Sequence, residues 1–274
     1  MRSPLPIFES RGSIEPAEWV RASGIEFLLP QADQVVTPYL RKKKEWDETL
    51  HFALLEAVKS RSVFVDVGAM VGYFSVVVAK EFPESKVYAV EPSESSLEFA
   101  SRNAEPYANV TLLAGGVSND PRGSWSLVKD ETNRGNTKIE VTGGSEGSIV
   151  TCTLQSLIDF TDADVVKIDV QGMERAVLTS LDLSKRKNRD LTIFCEISPT
   201  EWASQDEIVE TVAEFQAAGF EAYFLLDTLV YSEFTKERLS DRVALSSAWA
   251  DHFELMLVRG TNAKTVRAKV WDEG

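Results

Sequence analysis

The chain of 274 residues contains only two cysteines, Cys152 and Cys195, and two histidines, His51 and His252. Two thiols, each inside an apolar strand-like run, cannot build a disulfide framework. No CxxC or Cys/His spacing suggests structural zinc, and no metal ligand is assigned, the alternative being a divalent cation held by Asp169 and Glu196 that acidifies a substrate hydroxyl. Buried free thiols in a reducing compartment are expected instead. No stretch reaches 18 consecutive apolar residues, and the opening MRSPLPIFESRGS lacks the apolar segment of a secretory signal. A cytoplasmic protein without membrane contact is the expectation. Positive charge is also scarce: 29 Lys and Arg face 43 Asp and Glu, a formal charge of −14. A field of that sign repels phosphate backbones, so nucleic acid is not an expected partner. Also missing are internal repeats, low-complexity tracts and the nicotinamide fingerprint GxGxxG.

What is present is an alternation of strand and helix patterns from about residue 47 onward. DETLHFALLEAVKS (47–60) places Leu50, Leu54, Leu55 and Val58 at helical spacing. SVFVDVG (62–68) is short, apolar on both faces and closed by glycine, as a central parallel strand should be. Further strands are predicted at 86–92, 109–115, 164–170, 191–198, 221–227 and 252–260. Helices are predicted at 72–82, 94–104, 153–160, 174–183 and 206–220. Such alternation implies an α/β fold whose parallel sheet is covered on both faces. No helix is evident between the last two strands, so the final one is predicted to be antiparallel. Residues 1–46 form an N-terminal cap with a strand at 24–30, and 117–150 a β-excursion rich in Gly, Ser, Asn and Thr. Arg41–Lys44 (RKKK) is expected to be a solvated helix start, the alternative being a contact with an anionic substrate.

The chemistry concentrates in DVGAMVG (66–72). A glycine-bearing turn from a buried strand into a helix brings backbone amides close to a ligand, with the helix N-terminus offering further donors. Met70 occupies the middle glycine position of a dinucleotide fingerprint. Asp66 at this strand end would repel pyrophosphate but suits the α-ammonium of an amino-acid-bearing cofactor. Glu91 closes the next strand, where a carboxylate accepts hydrogen bonds from both ribose hydroxyls. Gly115-Gly116-Val117-Ser118 closes the third, where backbone and hydroxyl groups meet an adenine.

In this order and spacing, DVGAMVGYFS, VYAVEP, NVTLLAGGVSND, TLQSLID and VVKIDVQGMERAVL resemble the FkbM family of methyltransferases. The resemblance covers about 47–200 and is most specific over IDVQGMERAVL. It implies the class I methyltransferase fold, Rossmann-like, with a seven-stranded, mostly parallel sheet and a reversed last strand. It also implies S-adenosylmethionine as cofactor and O-methylation of a hydroxyl on a macrolide-like natural product or a sugar. By the family pattern Asp66, Gly68, Gly72, Glu91 and Pro92 hold the cofactor. Met70, Tyr73, Val117, Ser118 and Asp169 are added as cofactor neighbours. The chain departs from the family at Met70, where Asn is usual, and at Gln171, where Glu is usual.

Ligands of open α/β sheets bind beyond the carboxyl ends of the strands. Asp169 and Glu196 therefore belong on the functional rim, as do His51, early in its helix, and His252, at the start of the reversed strand. His252, Asp169, His51 and Glu196 are the candidate bases for deprotonating a hydroxyl. Trp125, Trp202 and Trp249 sit in or beside loops, as core plugs or as stacking surfaces for an acceptor ring. Two other readings remain: an NAD-dependent oxidoreductase, and a catalytically silent methyltransferase-like binding domain.

Overall fold

The computed structural model of the chain describes residues 2–12, 14–130, 132–141, 149–185, 189–227, 230–245, 252–267 and 269. It opens with a hairpin of β1 (Ala17–Ala22) and β2 (Ile25–Pro30), followed by helices α1 (Val36–Lys43) and α2 (Glu48–Ala57). Next come β3 (Val63–Val67), α3 (Tyr73–Glu81), β4 (Lys86–Glu91), α4 (Glu94–Ala104) and β5 (Val110–Ala114). The excursion contributes β6 (Gly116–Val117), β7 (Trp125–Val128), β8 (Lys138–Val141) and β9 (Thr151–Cys152). Then follow α5 (Leu154–Thr161), β10 (Val165–Ile168), α6 (Glu174–Thr179), β11 (Leu191–Ile197) and α7 (Gln205–Ala217). The chain continues through β12 (Glu221–Asp227), β13 (Val230–Glu233), α8 (Lys236–Leu245), β14 (Phe253–Arg259) and α9 (Thr261–Arg267).

The main sheet has the order β13-β12-β14-β11-β10-β3-β4-β5. Strands β5, β4, β3, β10 and β11 are parallel, and β14 runs antiparallel to both β11 and β12. The seven predicted strands and the reversal of the last one are all present. The sheet has an eighth strand, however: β13, antiparallel to β12 at the edge. The expectation of no helix before the final strand is also corrected, because α8 lies between β13 and β14.

Each face of the sheet buries an apolar cluster. One joins Val65, Val166, Ile168, Ile193 and Leu255 with Ile208 and Phe215 of α7. The other joins Phe64, Phe194 and Met256 with Leu50, Leu54, Phe74 and Val77. Phe27, Leu29 and Leu40 lie fully inside this second cluster, so the N-terminal hairpin and α1 share the core of α2 and α3. The Asn103 side chain ties α4 to the hairpin, accepting from Leu28 N at 2.7 Å and donating to Leu28 O at 3.2 Å.

Ser93 caps α4, its hydroxyl accepting from Ser96 N at 3.4 Å. Helix α1 was not foreseen, since Pro38 and a basic run obscure its period. Proline is tolerated in a first turn, and Asp33 Oδ1 accepts from the Val35, Val36 and Thr37 amides at 2.6–3.2 Å. Arg41, Lys42 and Lys43 therefore end this helix rather than start one, complementing its dipole. Trp125 and Trp202 are core residues, the Trp125 indole donating to Asp120 O at 2.9 Å. Trp249 lies outside the described residues.

Candidate active site

Strand β3 ends under a turn that only glycine can make at its tightest point. Gly68 has φ +81°, and a Cβ there would sit 1.8 Å from the carbonyl oxygen of Asp169 on the neighbouring strand end. Its amide and that of Ala69 both donate to Val90 O at 3.0 Å, which folds the turn onto the end of β4. Met70 follows in the left-handed region, φ 49°, and its amide donates to Glu91 Oε2 at 2.9 Å. Gly72, φ 80°, is the N-cap of α3 and lets that helix approach Ala100 of α4.

These groups border a cavity of about 1020 Å³ beyond the carboxyl ends of β3, β4, β10 and β11. That is ample for a nucleoside-bearing cofactor together with an acceptor. Gly68, Met70, Tyr73, Glu91, Pro92, Val117, Asp169, Glu196 and His252 all line it. The excursion closes one side with Arg134, Lys138 and Ile139, and the α1–α2 junction closes another with Tyr39, Trp46 and Asp47.

Four residues expected at the site are placed elsewhere. Asp66 is fully buried and does not border the cavity. Its Oδ2 accepts from Ser75 Oγ at 2.7 Å, and its Oδ1 lies 3.2 Å from Lys167 Nζ, an ion pair without hydrogen-bond alignment. Its charge thus holds Lys167 instead of facing a cofactor ammonium. Gly72 shapes the turn from behind the wall. Ser118 is buried and bonds Thr151 Oγ1 at 3.1 Å. His51 borders a separate pocket of about 340 Å³ with Ser23, Lys44 and Glu81. Its Nδ1 is 3.4 Å from the Tyr73 hydroxyl, and burial lowers its pKa. Helix α2 turns this residue to its far side, away from the rim that sequence position alone implied.

Lys167 is the central residue that sequence reasoning missed. It lies inside the buried strand β10, 3.2 Å from both Asp66 and Asp169, and donates to Gly68 O at 3.1 Å. The two carboxylates raise its pKa and more than offset burial, so it stays an ammonium. The signal was visible: a lysine in the middle of VVKIDV is a charge in a buried strand, which is rare without a partner.

The two ends of the cavity differ. Glu91 sits at the end of β4, buried, with Ser93 N donating to its Oε1 at 2.8 Å. Burial pushes its pKa up to about 7, while the two amides act in the opposite direction. Asp169 stands at the end of β10, two strands away, Glu196 at the end of β11, three away, and His252 at the start of β14, four away. Gln171 Nε2 donates to Glu196 Oε1 at 3.2 Å, and His252 Nε2 lies 3.9 Å from Glu196 Oε2. Burial, then the charge of Asp169, pushes Glu196 up to about 8. A Glu at 171, usual in the family, would repel Glu196 where Gln171 donates to it.

A glycine turn open to backbone approach, a carboxylate on the next strand end and a sheet with one reversed strand together define a class I methyltransferase architecture. The Methyltransferase FkbM domain matches residues 66–222, more than half of the chain. The chain belongs to the FkbM methyltransferase family, and S-adenosylmethionine is its cofactor. A release factor glutamine methyltransferase from Geobacter sulfurreducens is 33% identical over 86 residues, 31% of this chain and 30% of that enzyme. The chain thus spans under a third of that relative's length. Among solved structures, a precorrin-6y C5,15-methyltransferase from Geobacter metallireducens is similar at 13% identity and TM-score 0.42, over 78% of this chain and 87% of that one. An rRNA methylase from Streptococcus thermophilus is similar at 15% identity and TM-score 0.42, over 77% of this chain and 93% of that one.

The residues present fit the cofactor. The space that a Gly68 side chain would fill is taken by the Asp169 carbonyl, so the turn keeps its backbone at the cavity wall. Each Glu91 oxygen already accepts one amide and retains a lone pair for a ribose hydroxyl. No helix of the described residues is long and apolar enough to cross a membrane.

Proposed function

We propose that this chain is an O-methyltransferase acting on a hydroxyl of a small molecule, a sugar or another natural product. The observation that supports it best is one cavity with Glu91 toward one end and Asp169, Glu196 and His252 toward the other. Glu91 and Glu196 close strands three spacings apart, roughly 14 Å at about 4.8 Å per strand, a span suited to placing a ribose at one end and an acceptor at the other.

When bound, S-adenosylmethionine supplies an electrophilic methyl group on its sulfonium. Glu91 would accept the ribose hydroxyls, Gly68 and Ala69 would keep the backbone close, and Pro92, Val117 and Ile139, which line the same cavity, would face the nucleoside. Aligning the acceptor oxygen accounts for most of the acceleration. The remaining task is to take the hydroxyl proton. Glu196 is the first choice, since a base whose pKa lies near the working pH transfers protons best. His252 beside it passes the proton to solvent, being half exposed at 53% of its side-chain surface. Asp169, held by Lys167, orients the hydroxyl. A net charge of −14 disfavours nucleic acid as the acceptor.

An NAD-dependent oxidoreductase is the second reading, and Met70 opposes it by occupying the middle glycine position of the dinucleotide turn. A silent binding domain would have no need of Glu196 between Gln171 and His252. The test is incubation with S-adenosylmethionine labelled with ¹³C at the methyl group and a panel of hydroxylated acceptors. The new methyl resonance is expected at an O-methyl position. Methyl transfer only to nitrogen or carbon would contradict the proposal.

A further inference from the structure

One wall of the cavity comes from the N-terminal cap, outside the matched segment 66–222. Val35, Tyr39 and Trp46 border the cavity there. Val35 stays 42% exposed and Tyr39 41%, while Val36 and Leu40 beside them are buried. The Tyr39 and Trp46 rings meet edge to face, with centroids 5.0 Å apart and planes at 69°. Both ends of this segment are tied down. Asp33 holds the first turn of α1. Trp46 N donates to the Tyr73 hydroxyl at 3.0 Å, and that hydroxyl shares a hydrogen bond with Ser23 Oγ at 2.7 Å. An aromatic corner fixed in this way loses little freedom when a ligand packs on it.

The corner belongs to the acceptor end. Trp46 leads directly into Asp47, whose charged neighbours include His252, Asp169 and Lys167. Asp47 is in turn a neighbour of Glu196. Apart from the Tyr39 hydroxyl and the Trp46 indole N–H, the side chains of Val35, Val36, Tyr39, Leu40 and Trp46 present only carbon. A polyol here would leave hydroxyls without partners, whereas a flat ring gains burial and ring contact. Met70 borders the same cavity and packs, like Trp46, against the apolar cluster of α2 and α3. It puts a thioether where the family usually has an amide. The base points the same way. Glu196, the register partner of Glu254 on β14, is pushed up to about 8 by burial and by the charge of Asp169. A phenol, at about 10, is close enough in acidity to pass its proton to such a base. An aliphatic hydroxyl, near bulk water at about 15.7, is far from it. A net charge of −14 disfavours an anionic acceptor.

We propose that Tyr39 and Trp46 form an aryl-binding corner and that the acceptor is an uncharged phenol, its ring packed on the corner and its hydroxyl at Glu196. The inference rests on the hydroxyl-methylation reading above and narrows its acceptor. The phenol oxygen gives its proton to Glu196 and forms the O–CH₃ bond as the donor's S–CH₃ bond breaks. The electron pair of that bond stays on sulfur, leaving S-adenosylhomocysteine. Tyr39 and Trp46 touch the ring and not the reacting atoms, so they set specificity.

The test uses the full chain with S-adenosylmethionine and ring pairs that differ in saturation, phenol with cyclohexanol and 2-naphthol with 2-decalol. S-Adenosylhomocysteine release is the rate readout, and calorimetric titration of the S-adenosylhomocysteine complex with each compound is the binding readout. The aryl member of each pair is expected to bind at least about tenfold tighter and to be the one methylated, at oxygen. Tyr39→Ser and Trp46→Leu should each raise KM for the aryl compounds at least about fivefold, while S-adenosylhomocysteine affinity stays within about twofold of wild type. Tyr39→Phe and Trp46→Phe, which keep a ring, should retain the preference. An aryl preference untouched by Tyr39→Ser and Trp46→Leu, or no phenol that binds or reacts, would overturn the corner. Loss of S-adenosylhomocysteine affinity in these variants with acceptor KM unchanged would place the pair on the cofactor instead. A dimer that Tyr39→Ser dissociates in sedimentation would assign the exposed ring to a second copy and refute the proposal too. Equal O-methylation of the saturated partners would end the phenol reading and leave the hydroxyl reading standing. An aryl preference with the methyl group found on ring carbon would do the reverse.

Discussion

Replacing Lys167 with methionine removes the cation that holds the floor of the site together. Lys167 is buried, lies 3.2 Å from one oxygen each of Asp66 and Asp169, and bonds the carbonyl of Gly68. Methionine keeps much of the apolar stem against Phe74, whose ring centre is 5.3 Å from Nζ, so packing loss is small. What remains is a fully buried Asp66 with one hydroxyl partner, Ser75. Breaking a buried ion pair from one side costs about 3–5 kcal/mol. For a chain of this size that corresponds to a fall in melting temperature of roughly 6–20 °C. The double variant Asp66→Asn with Lys167→Met removes both charges and should recover a large part of the loss. The sign of the pH effect follows from the raised pKa of Lys167. Its contribution is complete below the unfolded-state lysine value and disappears only as pH climbs through the higher folded-state value. Urea denaturation of the wild type, both single variants and the double variant between pH 6 and 9 measures the coupling. Stability of Lys167→Met within about 1 kcal/mol of wild type, with additive single effects, would show that Lys167 and Asp66 are not energetically coupled.

Gly68→Ala forces a Cβ to within 1.8 Å of the Asp169 carbonyl and should cost on the order of 3 kcal/mol, read by calorimetric melting, along with most cofactor affinity. Met70→Asn relieves a left-handed residue at φ 49° and should stabilise the protein by about 1 kcal/mol, seen as a shift of the urea midpoint with unchanged slope. Glu91 has a pKa raised to about 7. Since the folded chain keeps that proton after the unfolded chain has lost it, Glu91 reduces stability progressively from about pH 4.5 to 7, with no further loss above. Cofactor binding needs the carboxylate, so S-adenosylhomocysteine affinity should rise with pH up to about 7, by as much as about tenfold per unit, and level off. Titrations at stepped pH check this, and Glu91→Gln should flatten the profile and lower the plateau. With Glu196 as base and its pKa near 8, turnover should rise with pH through that value, and Glu196→Gln should remove this limb from the rate profile.

The sheet was largely legible because its strands are buried on both faces. VFVDV, KVYAVE and LTIFCEI read as short apolar runs, and their order of appearance with intervening amphipathic helices dictates the topology. β13 was not legible, being a four-residue edge strand with Ser232 and Glu233 among its members. Helices α1 and α8 were hidden by Pro38 and by charge-rich sequence, both of which tertiary packing overrides. At the site, residues at strand ends carried reliable information: Gly68, Met70, Glu91, Pro92, Val117, Asp169 and Glu196 all reach one cavity. Side-chain direction did not follow from sequence position. Asp66 points into the core to meet Lys167, and His51 points to the far side of α2. The Glu196–Glu254 pairing depends on the register between β11 and β14, strands separated by 55 or more residues in sequence, which no local pattern reveals.

The turn at Gly68 and the carboxylate of Glu91 are proposed to hold S-adenosylmethionine. Calorimetric titration of the wild-type chain with S-adenosylhomocysteine and, in parallel, with NAD tests this most directly. One site for S-adenosylhomocysteine and none for NAD is predicted. Binding of NAD without S-adenosylhomocysteine, or of neither, would contradict it.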